Sequence, residues 1–327
     1  MHLKMLAGFR FLLAWFIVCD HLAPFIVNPN KDFLYKLKVF TPLGEVIALL
    51  LISGYLIGNS ITKKNEEFYN RRLIRIYPLY FLGVILSLLP FLIFGSTVEV
   101  LNGDPSVQPE TGSVIGYLMF LQGFVVGPLS SNNPLWPMSI LAFAYLFTPF
   151  FNRLSSKVLL MIAGASASLY VILPNLYVKV YGEALPYYSY MRYGLPFYLF
   201  IWVWILGFIY FREQDKTWAK ALLIGSSLLL ILSKNRTGLV AVAVYLVTCF
   251  LLILSPHIKI PRFLSSILNY LGDIAFPFYL FHKTTFILTY SLLGIKNSIT
   301  HMFLAVLVGM LFYHAVDLPL RSRKIVA

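Results

Sequence analysis

The first long apolar run of the chain, residues 6–27, contains two basic residues. They are Arg10 and His21, and a histidine, which titrates near neutral pH, can take a proton from a hydroxyl group. On a helix, this spacing puts both side chains on one face, about 16 Å apart along the axis. Ionisable side chains at membrane depth normally face a bundle interior and mark a functional site. The alternatives are that Arg10 snorkels to the headgroups and that His21 is a hydrogen-bonded packing residue.

The densest positive charge follows the second apolar run. The segment reads KKNEEFYNRRLIRIYPLY and contains Lys63, Lys64, Arg71, Arg72 and Arg75. Arg72 and Arg75 are one helical turn apart on the same face, and arginine suits the forked binding of phosphate oxygens. The segment therefore predicts a site for a phosphate-bearing ligand on the cytosolic side, with a topology anchor as the alternative.

The second apolar run contains a pair of small residues and a carboxylate. Ser53 and Gly54, within LLISGYLIG, favour close packing between helices. Glu45 lies at the outer end of this helix, at a depth comparable with that of His21 on the antiparallel first helix. It is predicted to be either an interfacial, solvated group or a partner for the imidazole. Asp20 is less well placed, because it points about 100° away from its neighbour around the helix.

The composition places these residues in a membrane protein. Hydrophobic residues make up 59% of the 327 and charged residues only 12%, far from the soluble average in both directions. The formal net charge of +13 does not indicate nucleic acid binding, because the basic residues lie in short loops where they set topology. Cys19 and Cys249 lie inside apolar runs, so no disulfide framework is supported, and no ligand spacing predicts a metal site.

Apolar segments that are long enough, or nearly so, to cross a bilayer recur along the whole chain. They cover residues 6–27, 44–60, 76–95, 113–127, 136–152, 158–178, 195–211, 218–233, 237–255, 267–290 and 299–318. The positive-inside rule favours ten crossings, with 113–127 as a re-entrant or interfacial segment, because Lys and Arg then concentrate on the inner side. The predicted fold is an all-α bundle of about ten transmembrane helices. It forms a single membrane domain over residues 1–327, with both termini cytoplasmic.

Several short motifs follow one another along the chain. They are GFRFLLAWFIVCDH, LLISGYLIG, RRLIRIYPLY, PLWPMSILAFAYLFTPFF, MRYGLPFYLFIWVWILG, LGDIAFPFYLFH and HAVDLPLRSR. Their order and spacing resemble those of the membrane acyltransferase-3 family of O-acyltransferases, and the resemblance extends over most of the chain.

The resemblance implies transfer of an acyl group, usually acetyl from acetyl-CoA, to a hydroxyl of a cell-envelope glycan or its lipid-linked precursor. It also implies a multi-pass protein of the cell (inner) membrane, surrounded by lipid. His21 would be the catalytic base and Arg10 its essential companion. The residues expected at the acyl-CoA site are Arg72, Arg75, Ser53 and Tyr77. Those expected to bind the acceptor substrate are Trp136, Ser139, Arg192, Tyr279 and His282.

The sequence departs from the family pattern in two of these motifs. The family's Glu falls on Leu141, the Ser after its Trp falls on Pro137, and its late Ser-Tyr falls on Ala275 and Phe276. A carboxylate close to the catalytic base would stabilise the imidazolium that forms during the reaction. With Leu141 apolar, Glu45 is the predicted source of that carboxylate.

A transporter or flippase of an anionic or lipid-linked substrate is the second hypothesis. In it, Arg10, His21 and Arg236 would bind the anion or relay protons. Transporters more often show internal repeats between their halves, and the sequence has no repeat of fixed period. The order of the motifs therefore favours the enzyme.

Overall fold

The protein is almost entirely helical over the residues that the computed structural model describes, which are 2–41, 43–63, 67–186, 191–233 and 238–322, without the side chains of His2 and Lys63. The α-helices are α1 His2–Asp20, α2 Phe33–Lys36, α3 Gly44–Lys63, α4 Phe68–Phe94, α5 Thr111–Leu118, α6 Trp136–Arg153, α7 Ser156–Tyr181, α8 Leu195–Glu213, α9 Thr217–Gly225, α10 Ser227–Leu232, α11 Leu239–Leu254, α12 Arg262–Leu293, α13 Ser298–Phe312 and α14 Leu318–Ser322. Short 3-10 turns lie at Ala23–Phe25, Pro29–Lys31, Leu37–Phe40 and Ser130–Leu135, and a π-turn at Tyr313–Asp317 joins α13 to α14. Strands β1 Thr97–Val98 and β2 Ser106–Val107 form a small antiparallel pair. The predicted all-α class is confirmed.

Six helical stretches within the described residues are long and apolar enough to cross a membrane. They are Gly44–Thr62, Phe68–Phe94, Ser130–Arg153, Ser156–Tyr181, Leu195–Glu213 and Ser298–Ser322. The other predicted crossings are also helical, but Thr217–Leu232 and Leu239–Leu254 are shorter, and α1 and α12 carry more charged or polar residues. The chain is therefore a multi-pass membrane protein, and the count of ten stays a prediction.

The segment 113–127 is not a continuous helix. Helix α5, which begins at Thr111 and covers the start of this segment, has eight residues, about 12 Å, which is well short of the roughly 30 Å of a bilayer core. The chain then reverses in a tight turn in which Phe120 and Gly123 have positive φ angles. The backbone N–H of Leu121 bonds to the carbonyl of Gly116 at 2.8 Å, which holds the reversal in place. This geometry agrees with a segment that does not cross the membrane.

Helices α3 and α8 cross at very short distance. A Cβ atom built on Gly54 would lie 1.9 Å from the carbonyl oxygen of Trp204, and one built on Gly207 would lie 2.1 Å from that of Leu51. Only glycine fits at these two positions, because any side chain would enter the backbone of the other helix. The packing role predicted for the small residues of the second run is confirmed for Gly54.

The buried side chains form two main clusters. One is built by α3 and by α6 to α11, and the other by α1, α4, α12 and α13 with the segment around α5. A cavity of about 530 Å³ lies where the clusters meet, lined by residues of α1, α3, α4, α6, α12 and α14. This cavity therefore lies between two packed halves of the described chain.

Candidate active site

Two histidines that are far apart in sequence meet at one end of α1. The Nδ1 atom of His21, which directly follows α1, lies 3.2 Å from the Nε2 atom of His282 in the middle of α12. The Nδ1 atom of His282 lies 2.7 Å from the backbone carbonyl oxygen of Tyr279. His282 is completely buried, whereas His21 is only partly buried. These contacts join His21, His282 and the Tyr279 backbone in one line.

Close packing of α1 on α12 brings the two histidines together. A Cβ atom on Gly272 would lie 2.4 Å from the Cβ atom of Ala7, and one on Gly8 would lie 2.3 Å from a side-chain carbon of Leu268. Small residues on both helices therefore allow the backbones to approach closely. Sequence reasoning placed His282 among the acceptor-binding residues but did not predict its contact with His21.

The predicted contact between His21 and Glu45 is wrong. No hydrogen bond or ion pair joins the two side chains, although the structure describes both. Glu45 is buried and its Oε2 atom has no hydrogen-bond partner among the described residues. The reason is geometric: α1 packs chiefly against α12 rather than α3, so His21 meets the imidazole of His282 instead of the carboxylate.

The cavity between the two clusters is strongly cationic at one end. The cations that line it there are Lys4, Arg10, Arg72, Arg75 and Arg321. Among the described lining residues, Asp273 is the only carboxylate. The structure thus brings Arg10 together with the two arginines predicted to bind the donor, at the end of the cavity away from His21. Ile17 and Tyr279 line the other end of the cavity. Ile17 lies about one helical turn before His21.

The arginines of the cavity differ in their partners. Arg321 pairs with Asp273 at 2.6 Å and also with Asp317. The other three, Arg10, Arg72 and Arg75, form no ion pair with any carboxylate of the described chain. The Nε atoms of Arg10 and Arg72 are buried and have no hydrogen-bond partner there. Such atoms can donate to an anionic ligand, and guanidinium groups bind phosphate or carboxylate oxygens with two parallel hydrogen bonds.

Two further donor-site predictions have different outcomes in the structure. Ser53 lines the cavity, and its hydroxyl lies 2.9 Å from the hydroxyl of Tyr145. The guanidinium of Arg72 lies 6.0 Å from the centre of the Tyr145 ring, so this tyrosine joins the two. Tyr77 does not line the cavity and instead packs against the ring of Phe120 on the other side of α4.

Three of the predicted acceptor residues neither line the cavity nor contact the histidine pair. Trp136 packs against Phe200, with 6.0 Å between ring centres, and Ser139 is completely buried with no partner for its hydroxyl in the described chain. Arg192 is exposed and does not line the cavity. Lys64 and Arg236 lie outside the described residues.

A buried polar network adjoins the histidine pair and was not predicted. Asn132 donates to the hydroxyl of Ser87 at 2.8 Å and to the carbonyl of Leu280 at 2.9 Å, and Ser87 also contacts Thr284 at 2.9 Å. Lys283 donates to the carbonyl of Ser130 at 3.0 Å. The polar run SSNN between apolar segments was the available signal, but sequence spacing alone could not show what it contacts.

The described residues contain no cluster of three or more His, Cys, Asp or Glu that could hold a metal ion. Cys19 and Cys249 are both buried and unpaired. The candidate active site consists of two parts, which are the cationic cavity and the pair formed by His21 and His282.

Comparison with known proteins points to one reaction class. A family model described as an acyltransferase domain matches residues 5–313 of this chain. A protein of Acidianus two-tailed virus, named "Putative acetyltransferase ORF330", is 25% identical over 300 residues, which cover 87% of this chain and 80% of the viral protein. No solved structure matches the chain significantly.

Proposed function

Because this chain belongs to the acyltransferase-3 family and is an acyltransferase, we propose that it transfers acetyl from acetyl-CoA to a hydroxyl of a cell-envelope polysaccharide or of its lipid-linked precursor. The proposed location is the inner membrane of the cell, with both termini in the cytoplasm. The cationic end of the cavity then faces the cytosol, where acyl-CoA is available, and the acceptor approaches His21 from the opposite side.

The observation that carries the proposal is the set of unpaired arginines in the cavity. Buried cations normally have a carboxylate partner, because desolvation of an unpaired charge is costly. Arg10 and Arg72, which each hold a buried Nε atom without a partner, form no ion pair in the described chain, and neither does Arg75, whose side chain is more exposed. Coenzyme A carries several phosphate groups, whose oxygens would satisfy these donors. The residues present therefore fit a polyanionic ligand.

The rest of the cavity suits the uncharged arm of such a donor. Besides the arginines, the lining includes the apolar side chains of Ala14, Ile17, Leu50, Met138 and Leu141. An apolar passage excludes water, which would otherwise compete with the acceptor hydroxyl. Leu141 contributes to this passage at the position where the family pattern has a carboxylate.

His21 acts as the general base in this proposal. The bound thioester supplies the activated acyl group. His21 takes the proton of the acceptor hydroxyl as the hydroxyl oxygen bonds to the thioester carbonyl carbon. When the carbon–sulfur bond breaks, His21 returns that proton to the departing sulfur. The products are an ester and free coenzyme A, and the imidazole is neutral again.

Coenzyme A binding to the purified full-length protein tests the proposal. We expect coenzyme A to raise the midpoint of thermal unfolding, because a ligand that binds only the folded state stabilises it by mass action. Pantetheine, which lacks the phosphates, should give no shift at the same concentration. Arg72→Ala should lose most of the shift.

The matched control is Arg71→Ala, on the same helix. Its side chain lies 3.8 Å from Glu67 and does not line the cavity, so this variant should keep the wild-type shift. A folded protein whose thermal midpoint does not respond to coenzyme A would overturn the assignment of the cavity as the donor site.

A further inference from the structure

We infer that His282 is a positioning residue that fixes which nitrogen of His21 carries the proton. The inference rests on the proposed function, in which His21 is the base. It identifies Nε2 of His21 as the atom that receives the proton of the acceptor hydroxyl. The supporting observation is the line of contacts that runs from the Tyr279 carbonyl through the imidazoles of His282 and His21.

The hydrogen bond of His282 to the backbone determines its own tautomer. Its Nδ1 atom lies 2.7 Å from the carbonyl oxygen of Tyr279. A carbonyl oxygen can only accept, so Nδ1 of His282 must be the donor in this bond. A neutral imidazole carries one proton, and Nε2 of a neutral His282 is therefore an acceptor.

The tautomer of His282 in turn determines that of His21. Nε2 of His282 lies 3.2 Å from Nδ1 of His21. Since the former accepts, Nδ1 of His21 must donate, and a neutral His21 has a free lone pair on Nε2. This is the arrangement that a base requires, because the lone pair points away from the supporting residue. In serine hydrolases an aspartate fixes the tautomer of the catalytic histidine in the same way.

His282 also stabilises the charge that develops on His21 during the reaction. When Nε2 of His21 takes a proton, the ring becomes cationic and its Nδ1–H bond to His282 becomes charge-assisted, hence stronger. The contact then stabilises the transition state more than the ground state, which is the condition for catalysis. No carboxylate of the described chain forms an ion pair with His21, and the imidazole of His282 is the side chain that lies within hydrogen-bond distance of its Nδ1 atom.

His282 is held rigidly enough to do so. It is completely buried in α12, one helical turn after Tyr279, and its ring lies 5.8 Å from that of Phe286. The close contact between Gly272 and Ala7 fixes α12 against α1. The second imidazole therefore has a fixed orientation before any substrate binds.

Two substitutions at His282 separate positioning from packing. In His282→Gln the side-chain oxygen reaches about as far as Nε2 and can still accept from His21, whereas the shorter Asn cannot. We expect His282→Asn to lower kcat by roughly ten- to a hundredfold and to leave the KM for the acyl donor within about twofold, since the histidine pair does not line the donor end of the cavity. His282→Gln should recover most of kcat. Equal loss in both variants would overturn the inference.

The protonation state itself provides a readout that does not depend on activity. The chain has six histidines, so the signals of His21 in protein labelled with ¹⁵N in the imidazole rings can be assigned by difference from His21→Gln. We expect Nδ1 of His21 to carry the proton in the wild type, and a mixture of tautomers in His282→Asn. A wild-type signal showing the proton on Nε2 would overturn the inference.

The outcomes distinguish this inference from the proposed function. If His21→Ala keeps its acylation rate, the assignment of the base fails, whatever His282 does. If His21→Ala is inactive while His282→Asn keeps both the wild-type kcat and the His21 tautomer, only the positioning role fails.

Discussion

The two ends of the site differ in whether their hydrogen-bond donors have partners within the protein. In the cavity, buried guanidinium atoms of Arg10 and Arg72 have no partner in the described chain. Around the histidines, Asn132 makes two short hydrogen bonds from its amide nitrogen and Lys283 two from its ammonium group. One end therefore has donors available for a ligand, and the other has its donors already bound by protein.

This difference separates binding from positioning. Unpaired buried donors cost stability and are retained where a ligand satisfies them. Paired donors give rigidity, which a base needs in order to hold one orientation toward its substrate. Substitutions at the two ends should consequently have different signatures: donor affinity at the arginines, and either rate or stability at the histidine end.

The largest effect is expected for His21→Ala. Loss of a general base typically lowers the rate by about a hundred- to ten-thousandfold, and coenzyme A affinity should stay unchanged because His21 does not line the cavity. Turnover assays with binding measurements on the same preparation check this. The control is His314→Ala, whose ring contacts Tyr270 at 3.1 Å and is not part of the site. Near-normal turnover of the His21→Ala protein would contradict the assignment of catalysis to the histidine end of the site.

The second effect concerns Arg10 in the donor-binding end. Arg10→Met should weaken coenzyme A binding by roughly ten- to a hundredfold, because a charge-assisted hydrogen bond is worth about 1.5–3 kcal/mol. The same variant should raise the thermal midpoint of the donor-free protein, since it removes a buried charge without a partner. Arg10→Lys should recover only part of the affinity, because an ammonium group lacks the planar fork. A lower midpoint with unchanged affinity would show that Arg10 is structural.

The sequence predicted the arginine end of the site far better than the histidine end. Arg72 and Arg75 are one helical turn apart, so local geometry alone places them on one face, and both line the cavity. The contact between His21 and His282 joins different ends of the chain, and no local pattern contains it. Glu45 was predicted to be the partner of His21 because the two residues lie at comparable depths in the membrane. Depth does not determine which helices pack together, and α1 packs chiefly against α12.

The same limit applies to the fold. Helices were predictable because apolar runs of sufficient length leave few alternatives. Gly54 was correctly assigned to close packing, but its partner Trp204 was not predictable, since many helices offer similar surfaces. The number of crossings depends on helices such as Leu239–Leu254, which is apolar but has only 16 residues. Its length alone does not decide whether it crosses.

The third effect is on stability at the histidine end. Asn132→Ala removes two hydrogen bonds in a completely buried site, so it should lower the free energy of unfolding by roughly 1–3 kcal/mol and change coenzyme A affinity less than twofold. Asn175→Ala is the matched control, because Asn175 also donates two hydrogen bonds, to Val171 and Leu232, at a partly exposed position where water can replace it. Equal stability of both variants would contradict a rigid network beside the histidines.

The smallest effect is expected for Glu45→Gln. The substitution keeps the size of the side chain and replaces its carboxyl group with an amide, and no hydrogen bond or ion pair connects this residue with His21. Because the imidazole of His282 supports the base instead, we expect the acylation rate to fall less than about threefold, far below the hundredfold or more typical of a catalytic acid–base group. The buried Oε2 atom of Glu45 has no partner in the described chain, so the glutamine should not destabilise the protein either.

Turnover and thermal unfolding of Glu45→Gln, measured beside His282→Asn, decide between the two supports for the base. If Glu45→Gln lost a hundredfold in rate while His282→Asn stayed active, the carboxylate would have to reach His21 during the reaction through a rearrangement of α3 against α1. The opposite result, with the larger loss in His282→Asn, follows from the present geometry. It would mean that this chain orients its base through an imidazole fixed by a backbone carbonyl, without a carboxylate.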